Sequence, residues 1–312
     1  VNGYDSVMTN PDILNDLWQY DPATGEWTWM SGQPRANYNG NYGTLLVPAP
    51  TNMPGARWRP VSWTDQSGQL WLFGGQGNGD TQSSNVLNDL WVYNPGSGEW
   101  TWMSGSKTVS ATGVYGTKGT PDTGNVPGAR YLSSSWTDAA GHFWLFGGFG
   151  LDSTGAIANL LNDLWEYDPG SNEWTWMAGS ETVGATPDYG SKGVPAATNV
   201  PGPRSRAMTW TDANGNLWLF GGHGVDAHGA TSSLNDLWEY DIGTGQWTWI
   251  GGSDTDDGKG VYGTQGTADA ANIPGARIGA TAWSDPTNGR FWLFGGTGVD
   301  SEGNTGELND IW

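Results

Sequence analysis

Short stretches of alternating apolar and polar residues recur along the chain, each closed by a turn rich in Gly, Asn and Asp. From Leu87 to Tyr93 the side chains alternate, with Trp91 and Tyr93 to one face and Leu90 to the other, which predicts a strand. Asn94-Pro95-Gly96-Ser97-Gly98 carries turn chemistry. Glu99 to Met103 alternates again, Trp100 and Trp102 opposite Thr101 and Met103. Arg130 to Asp138 predicts a third strand. A turn at Ala139 to Gly141 leads into Phe143-Trp144-Leu145-Phe146-Gly147-Gly148, apolar on both faces as a strand between two layers should be.

The pattern repeats. Leu-Asn-Asp-Leu/Ile-Trp begins at Leu14, Leu87, Leu161, Leu234 and Leu308, at spacings of 73, 74, 73 and 74 residues. From Met30, Met103, Met177 and Ile250 to Arg57, Arg130, Arg204 and Arg277 the distance is 27 residues every time. Such a period decides the architecture. Four strands per period, joined by connections suited to antiparallel neighbours, make one small sheet. Both its faces are apolar, so units must stack, and radial stacking gives a β-propeller. Within one repeat domain, 1–312, this yields an N-terminal half blade at 14–30, blades at 57–104, 130–179 and 204–252, and a partial blade at 277–312. Gly3-Tyr4-Asp5-Ser6 matches Gly150-Leu151-Asp152-Ser153 and Gly298-Val299-Asp300-Ser301, so the chain reads as starting inside a repeat.

Label the strands of a repeat a to d, a opening at the Arg. There are five c strands but four each of a, b and d. The half blade at 14–30 could complete the sheet begun by 277–296, but Leu14–Trp18 and Leu308–Trp312 would then compete for one place. An open end would expose a Trp-lined face larger than soluble monomers carry and an unpaired strand edge. The expectation is that these residues are no closed monomer: further repeats or neighbouring copies complete their ends.

Two features resemble the kelch repeat, as in the central domain of galactose oxidase. One is a double glycine closing strand b: Gly74-Gly75, Gly147-Gly148, Gly221-Gly222 and Gly295-Gly296. The other is a Tyr and a Trp with six residues between them: Tyr20/Trp27, Tyr93/Trp100, Tyr167/Trp174 and Tyr240/Trp247. The resemblance covers the whole chain and implies an all-β, kelch-type propeller of four-stranded antiparallel blades. It implies about four repeats of 73–74 residues, in a ring or array that can extend beyond them. The period exceeds the usual kelch length of about 50, and the surplus sits in the 27-residue connector. The resemblance implies no single activity, because kelch propellers serve as oxidases, adaptors and adhesins. Galactose oxidase holds copper with two His and two Tyr, one Tyr cross-linked to a Cys. This chain has no Cys and only His142, His223 and His228, so that cofactor has no basis here.

Composition narrows the partners. Fifty-one Gly and seventeen Pro fit many tight turns, and 22 Trp supply the core. A buried Trp contributes roughly 4–6 kcal/mol gross, from about 150–250 Å² at about 25 cal/mol per Å². The chain therefore needs no disulfide staple, and their absence does not argue against an extracellular home. A formal charge of −20 with four Lys excludes nucleic acid and anionic membranes as partners. No run of 18 apolar residues predicts a membrane span, and no Asn-x-Ser/Thr acceptor occurs.

Candidate chemistry falls on the face that strand alternation assigns to the long connectors and to the loops between strands b and c. Arg57, Arg130, Arg204 and Arg277 could bind a carboxylate or acidic sugar bidentately, or pair with the Asp of each Leu-Asn-Asp. Tyr42, Tyr115, Tyr189 and Tyr262, midway along each connector, could stack on sugar rings or protein, or pin the connector to its blade. Asp80, Asp152, Asp226 and Asp300 are candidate Ca²⁺ ligands or turn residues. Asp254-Thr255-Asp256-Asp257-Gly258 is denser but occurs once and misses the EF-hand register. No nucleophile elbow or phosphate loop appears. The expected function is a non-catalytic extracellular or cell-surface scaffold that binds a glycan or protein, with no cofactor unless Ca²⁺. The alternative is a self-associating structural protein whose partners are further copies of itself, and an enzyme is a distant third.

Overall fold

The computed structural model describes residues 12–81, 84–156, 159–285 and 287–312. The match at Gly3–Ser6 lies outside the described residues. Every regular element among them is a β-strand, in four antiparallel sheets and one separate two-stranded hairpin, Leu17–Asp21 with Glu26–Ser31. The four sheets are β-propeller blades. No helix is long and apolar enough to cross a membrane.

The third sheet shows the design. Arg204–Ser205 and Met208–Thr211 form strand a, Leu217–Val225 strand b, Thr231–Asp241 strand c and Gln246–Gly251 strand d. The spatial order is the chain order, each strand antiparallel to the last. Strand a, expected as one run, is two pieces. The break carries a positive φ in every sheet: Arg59 (54°), Leu132 (59°), Arg206 (58°) and Gly279 (63°). Opposite it sit the paired glycines. Gly221 and Gly222 have φ of +62° and +93°, and a Cβ on either would lie 2.7 Å from a backbone oxygen, Leu234 O and Ser205 O respectively. Only glycine fits there. The resulting bulge turns the Gly221 carbonyl onto the Arg204 guanidinium at 3.0 Å.

The chain divides into two compact units: residues 1–114, 126–132 and 150–157, and residues 115–125, 133–149 and 158–312. In the first, Trp91, Tyr93 and Trp100 form a core with Tyr42, flanked by Leu17, Met30, Leu70 and Leu72. In the second, successive sheets stack through repeated contacts. Trp144 meets Tyr240 and Phe146 meets Trp247, with ring centroids 5.7 and 5.6 Å apart. The Trp136 Nε1–H donates to Trp218 O at 3.0 Å, and Trp210 repeats the bond to Trp292 O at 3.2 Å. Six of the largest fully buried side chains are Trp, which is why a chain without cysteine holds together.

Each connector doubles back through one antiparallel bridge: Asn41 with Met53, Val114 with Val126, Asp188 with Val200, Val261 with Ile273. The first three are then tied to strand d of the sheet they precede. In the third sheet Gly193 N donates to Trp249 O at 2.8 Å and Asn199 Nδ2 to Trp247 O at 3.0 Å.

Candidate functional site

The residues singled out once per repeat converge on one carboxylate. In the third sheet Arg204 straddles Asp236, with both N–O distances at 2.6 Å, while Tyr189 OH and Trp238 Nε1 each donate to the same carboxylate at 2.7 Å. Asp89 receives Arg57, Tyr42 and Trp91 in the same way, and Asp310 receives Arg277, Tyr262 and Trp312. Tyr115 and Trp165 donate to Asp163, and Arg130 is buried with its Nε on Gly128 O. Arg204 and Asp236 have no solvent-exposed side-chain surface. A buried bidentate pair with its remaining lone pairs satisfied is strongly disrupted when one partner is removed.

Electrostatics follow from the same geometry. Burial, and then the Asp89 charge, push the Tyr42 hydroxyl far above the ordinary phenol range, against the pull of Arg57. Tyr189 behaves alike beside Asp236 and Arg204. Arg204 is held above its usual range by Asp236, which outweighs the effect of burial. Burial alone would raise the Asp310 carboxyl, but bonds from Arg277, Tyr262 and Trp312 hold it well below the usual range. The Tyr42, Tyr115 and Tyr189 rings are buried in their blades, while Tyr262 is 37% exposed; Tyr189 meets Trp238 at 4.9 Å and the edge of Trp249 at 5.2 Å. The buried rings have both neighbours within the blade, and the Arg204 guanidinium is paired with the Asp236 carboxylate.

Three of the four loop Asp residues, Asp152, Asp226 and Asp300, cap their turns. Asp152 Oδ1 accepts from the Thr154 and Ala156 amides, and Asp300 Oδ1 from those of Glu302 and Asn304. Asp226 takes His228, Ala230 and Asp256 amides, which hold its carboxyl low despite burial. Asp80 lies 3.6 Å from Lys107 Nζ. The oxygens of Asp152, Asp226 and Asp300 accept from backbone N–H donors, whereas Asp80 Oδ1 is buried with no hydrogen-bond partner among the described residues.

Sequence reading did not foresee the surroundings of His142. Its Nδ1 lies 2.6 Å from Glu166 Oε1 and 3.6 Å from Asp138 Oδ2. The three could hold a metal ion by distance. Burial raises the Glu166 carboxyl, against His142. In the next sheet Asn216 fills the same place and donates to Glu239 at 2.7 Å, so the His acts as the same bridge from turn to strand c. Glu166 is 24 residues away in sequence, and only the pairing of strands b and c brings it near. A groove of about 530 Å³ lies close by, lined by Asp138–Ala140, Asn214–Asn216 and Asp241–Gly243. It sits among the short turns, not among the long connectors on which the sequence reading placed function.

The largest departure from a satisfied surface lies elsewhere. The N-terminal hairpin exposes Trp18 (49%), Tyr20 (48%), Trp27 (65%) and Trp29 (48%), and the C-terminal sheet exposes Trp283 (50%), Trp292 (38%), Phe294 (44%) and Ile311 (60%). Their counterparts in the other sheets are core: Trp91, Tyr93, Trp144 and Phe146 are 0–1% exposed. An unfinished blade at either end of the repeat was the sequence signal for this surface.

No protein-family model matches the chain, and no curated protein matches it. Among solved structures it is similar to one titled "Structure of YjhT". The match has a TM-score of 0.51 and 16% identity, and covers 92% of this chain and 74% of that one. The likeness is one of fold.

Proposed function

We propose that the chain is a non-catalytic kelch-type scaffold that works by protein–protein association through the faces of its terminal sheets. The observation that carries this reading is the pair of exposed aromatic surfaces. Contiguous apolar patches of this kind mark interaction sites on soluble proteins, and Trp and Tyr are the residues that anchor interfaces. The groups that would have served a small ligand, the repeated Arg and Tyr, instead pair with Asp inside the blades. The kelch reading rests on the double glycine, whose bulge turns a carbonyl to Arg204, and on Tyr/Trp pairs that touch, as Tyr240 and Trp247 do at 5.1 Å. An extracellular or cell-surface setting suits a stable, acidic protein of this type.

Sedimentation velocity over a hundredfold concentration range tests the reading. The expected result is mass increasing with concentration, and increasing further with salt, because copies of charge −20 repel until screened. A single 33.3 kDa species throughout would overturn it. The groove near His142 favours a second reading, a small polar ligand among the short turns. Glycan-array binding that is lost in Asn214→Ala and Asn216→Ala variants would support it over association.

A further inference from the structure

We propose that Asp138, His142 and Glu166 form a binding site for one divalent transition-metal ion such as Zn²⁺. The site lies among the short turns and does not depend on the association reading above.

The scaffold of the site is common to the sheets, but its chemistry is not. An Asp opens the turn between strands a and b: Asp65, Asp138 and Asp212 in the first three sheets. One of its oxygens caps the turn, accepting from the amides of Gln69, His142 and Asn216. The other accepts the indole N–H of Trp71, Trp144 or Trp218 on strand b. The carboxylate is thereby fixed from two sides. What changes is the residue four places after it and the residue opposite that Trp on strand c. These are Gln69 and Val92 in the first sheet, and Asn216 and Glu239 in the third. In the second they are His142 and Glu166. Among the described residues, only this sheet brings three metal-ligating groups together. A feature shared by every blade reads as framework; a departure made by one blade reads as a site.

The geometry suits an ion. His142 Nδ1, Glu166 Oε1 and Asp138 Oδ2 lie within 4.8 Å of one another. Zn²⁺ takes nitrogen and oxygen at about 2.0–2.2 Å in a tetrahedral shell, which sets its ligand atoms roughly 3.3–3.6 Å apart. His142 Nδ1 is 3.6 Å from Asp138 Oδ2 and 2.6 Å from Glu166 Oε1. Glu166 therefore has to draw back by about 0.8 Å, as the ion replaces the proton it shares with His142. The far nitrogen, Nε2, lies 3.9 Å from Asp168 Oδ1, where a carboxylate orients a ligating imidazole. Three carboxylates face one imidazole, so the cluster stays negative until a cation neutralises it. An imidazole beside carboxylates suits Zn²⁺ and its neighbours better than Ca²⁺ or Mg²⁺, which take oxygen ligands. The His142 and Glu166 side chains are 33% and 21% exposed, which leaves a way in for the ion.

A second observation points to a ligand at the same place. Tyr240 of the third sheet is fully buried, yet its hydroxyl has no hydrogen-bond partner among the described residues. Its ring packs at 5.7 Å on Trp144, whose indole holds Asp138. Burial first, then the Glu166 charge, pushes that phenol above its ordinary range, so the hydroxyl stands within reach of Glu166. Tyr93, its counterpart in the first sheet, also lacks a partner, but there burial acts without a neighbouring charge. Three protein ligands leave a tetrahedral ion one position, and a water there is an acceptor of the kind the Tyr240 hydroxyl lacks. Asp138 also lines the groove among the short turns, which puts the ion at its wall.

Calorimetric titration with Zn²⁺ tests the site, on tag-free protein stripped with EDTA and exchanged into metal-free buffer. The expected result is one equivalent per chain at micromolar Zn²⁺. His142→Asn rebuilds the bridge that Asn216 makes to Glu239, so the melting temperature without metal should barely move. Binding should weaken by about a hundredfold or more, beyond the roughly 10–100-fold that losing an orienting partner costs. Glu166→Gln should weaken it likewise. Asn216→His completes the same set with Asp212 and Glu239, and should raise the capacity to two equivalents. Absence of binding at millimolar Zn²⁺, or an equivalent that survives both His142→Asn and Glu166→Gln, would overturn the proposal. Unchanged capacity in a folded Asn216→His chain would overturn the choice of these three residues as the ligand set.

Discussion

Glu26–Ser31 and Glu99–Ser104 are the same six residues in the same kind of strand, yet Trp27 is 65% exposed and Trp100 is 7% exposed. Both follow a Leu-Asn-Asp-Leu-Trp strand in the same register. The difference is the company. Strand c of the first sheet continues from a strand b, Leu70–Asn78, and Tyr42 from the preceding connector lies between Trp91 and Trp102. Among the described residues the hairpin pairs with neither. Local sequence sets the strand and its register, while the neighbouring blade decides whether the same tryptophan is core or surface. A surface that is core everywhere else in one molecule is suited to a further blade of the same kind.

The comparison breaks most sharply at the central carboxylates. Asp236→Ala leaves Arg204 buried without its partner and should cost about 3–5 kcal/mol, seen as a large fall in the denaturant midpoint. Asp16→Ala removes the equivalent residue of the hairpin, where among the described residues Trp18 is the side chain that donates to it, and should change stability by about 0.5 kcal/mol or less. Equal effects would mean that the two sites are not in different states of completion. Next in size, Trp100→Ala should cost about 3–5 kcal/mol as a core cavity, while Trp27→Ala should leave the melting temperature nearly unchanged and reduce association.

A smaller effect separates the buried tyrosines from ordinary ones. Tyr42 and Tyr189 are held neutral in the fold by burial and by Asp. Their folded pKa lies above the unfolded value, so their contribution is complete below about pH 10 and falls as pH rises past it, because only the unfolded phenols ionise there. The melting temperature should decline from about pH 10 upward, and the decline should be shallower in Tyr189→Phe than in the unsubstituted protein. Millimolar Ca²⁺ should give the smallest response, below about 0.5 °C of shift by binding linkage, because Asp152, Asp226 and Asp300 already cap their own turns.

Strand identity, order and period were legible because each depends on neighbours within one repeat: alternation at Leu87–Tyr93, turn residues at Asn94–Gly98, paired glycines at 221 and 222. The once-per-repeat Arg, Asp and Tyr were legible as a set but not as a cluster. Arg204 and Asp236 stand 32 residues apart, and nothing local says that they meet rather than face solvent. The break in strand a went unseen because Arg59, Leu132 and Arg206 are not residues that signal a positive φ. His142 and Glu166 were missed for a related reason: the bridge belongs to the pairing of two strands, and its counterpart in the next sheet uses Asn216, which carries no metal-like signature.

Hydrogen exchange on the two identical hexapeptides tests the central claim most directly, since each serves as the other's control. At low micromolar concentration the amides of 99–104 should be strongly protected and those of 26–31 should exchange far faster. Raising the concentration a hundredfold should slow exchange at 26–31, with 99–104 unchanged. Protection at 26–31 equal to that at 99–104 in the dilute monomer, or no dependence on concentration, would contradict the account.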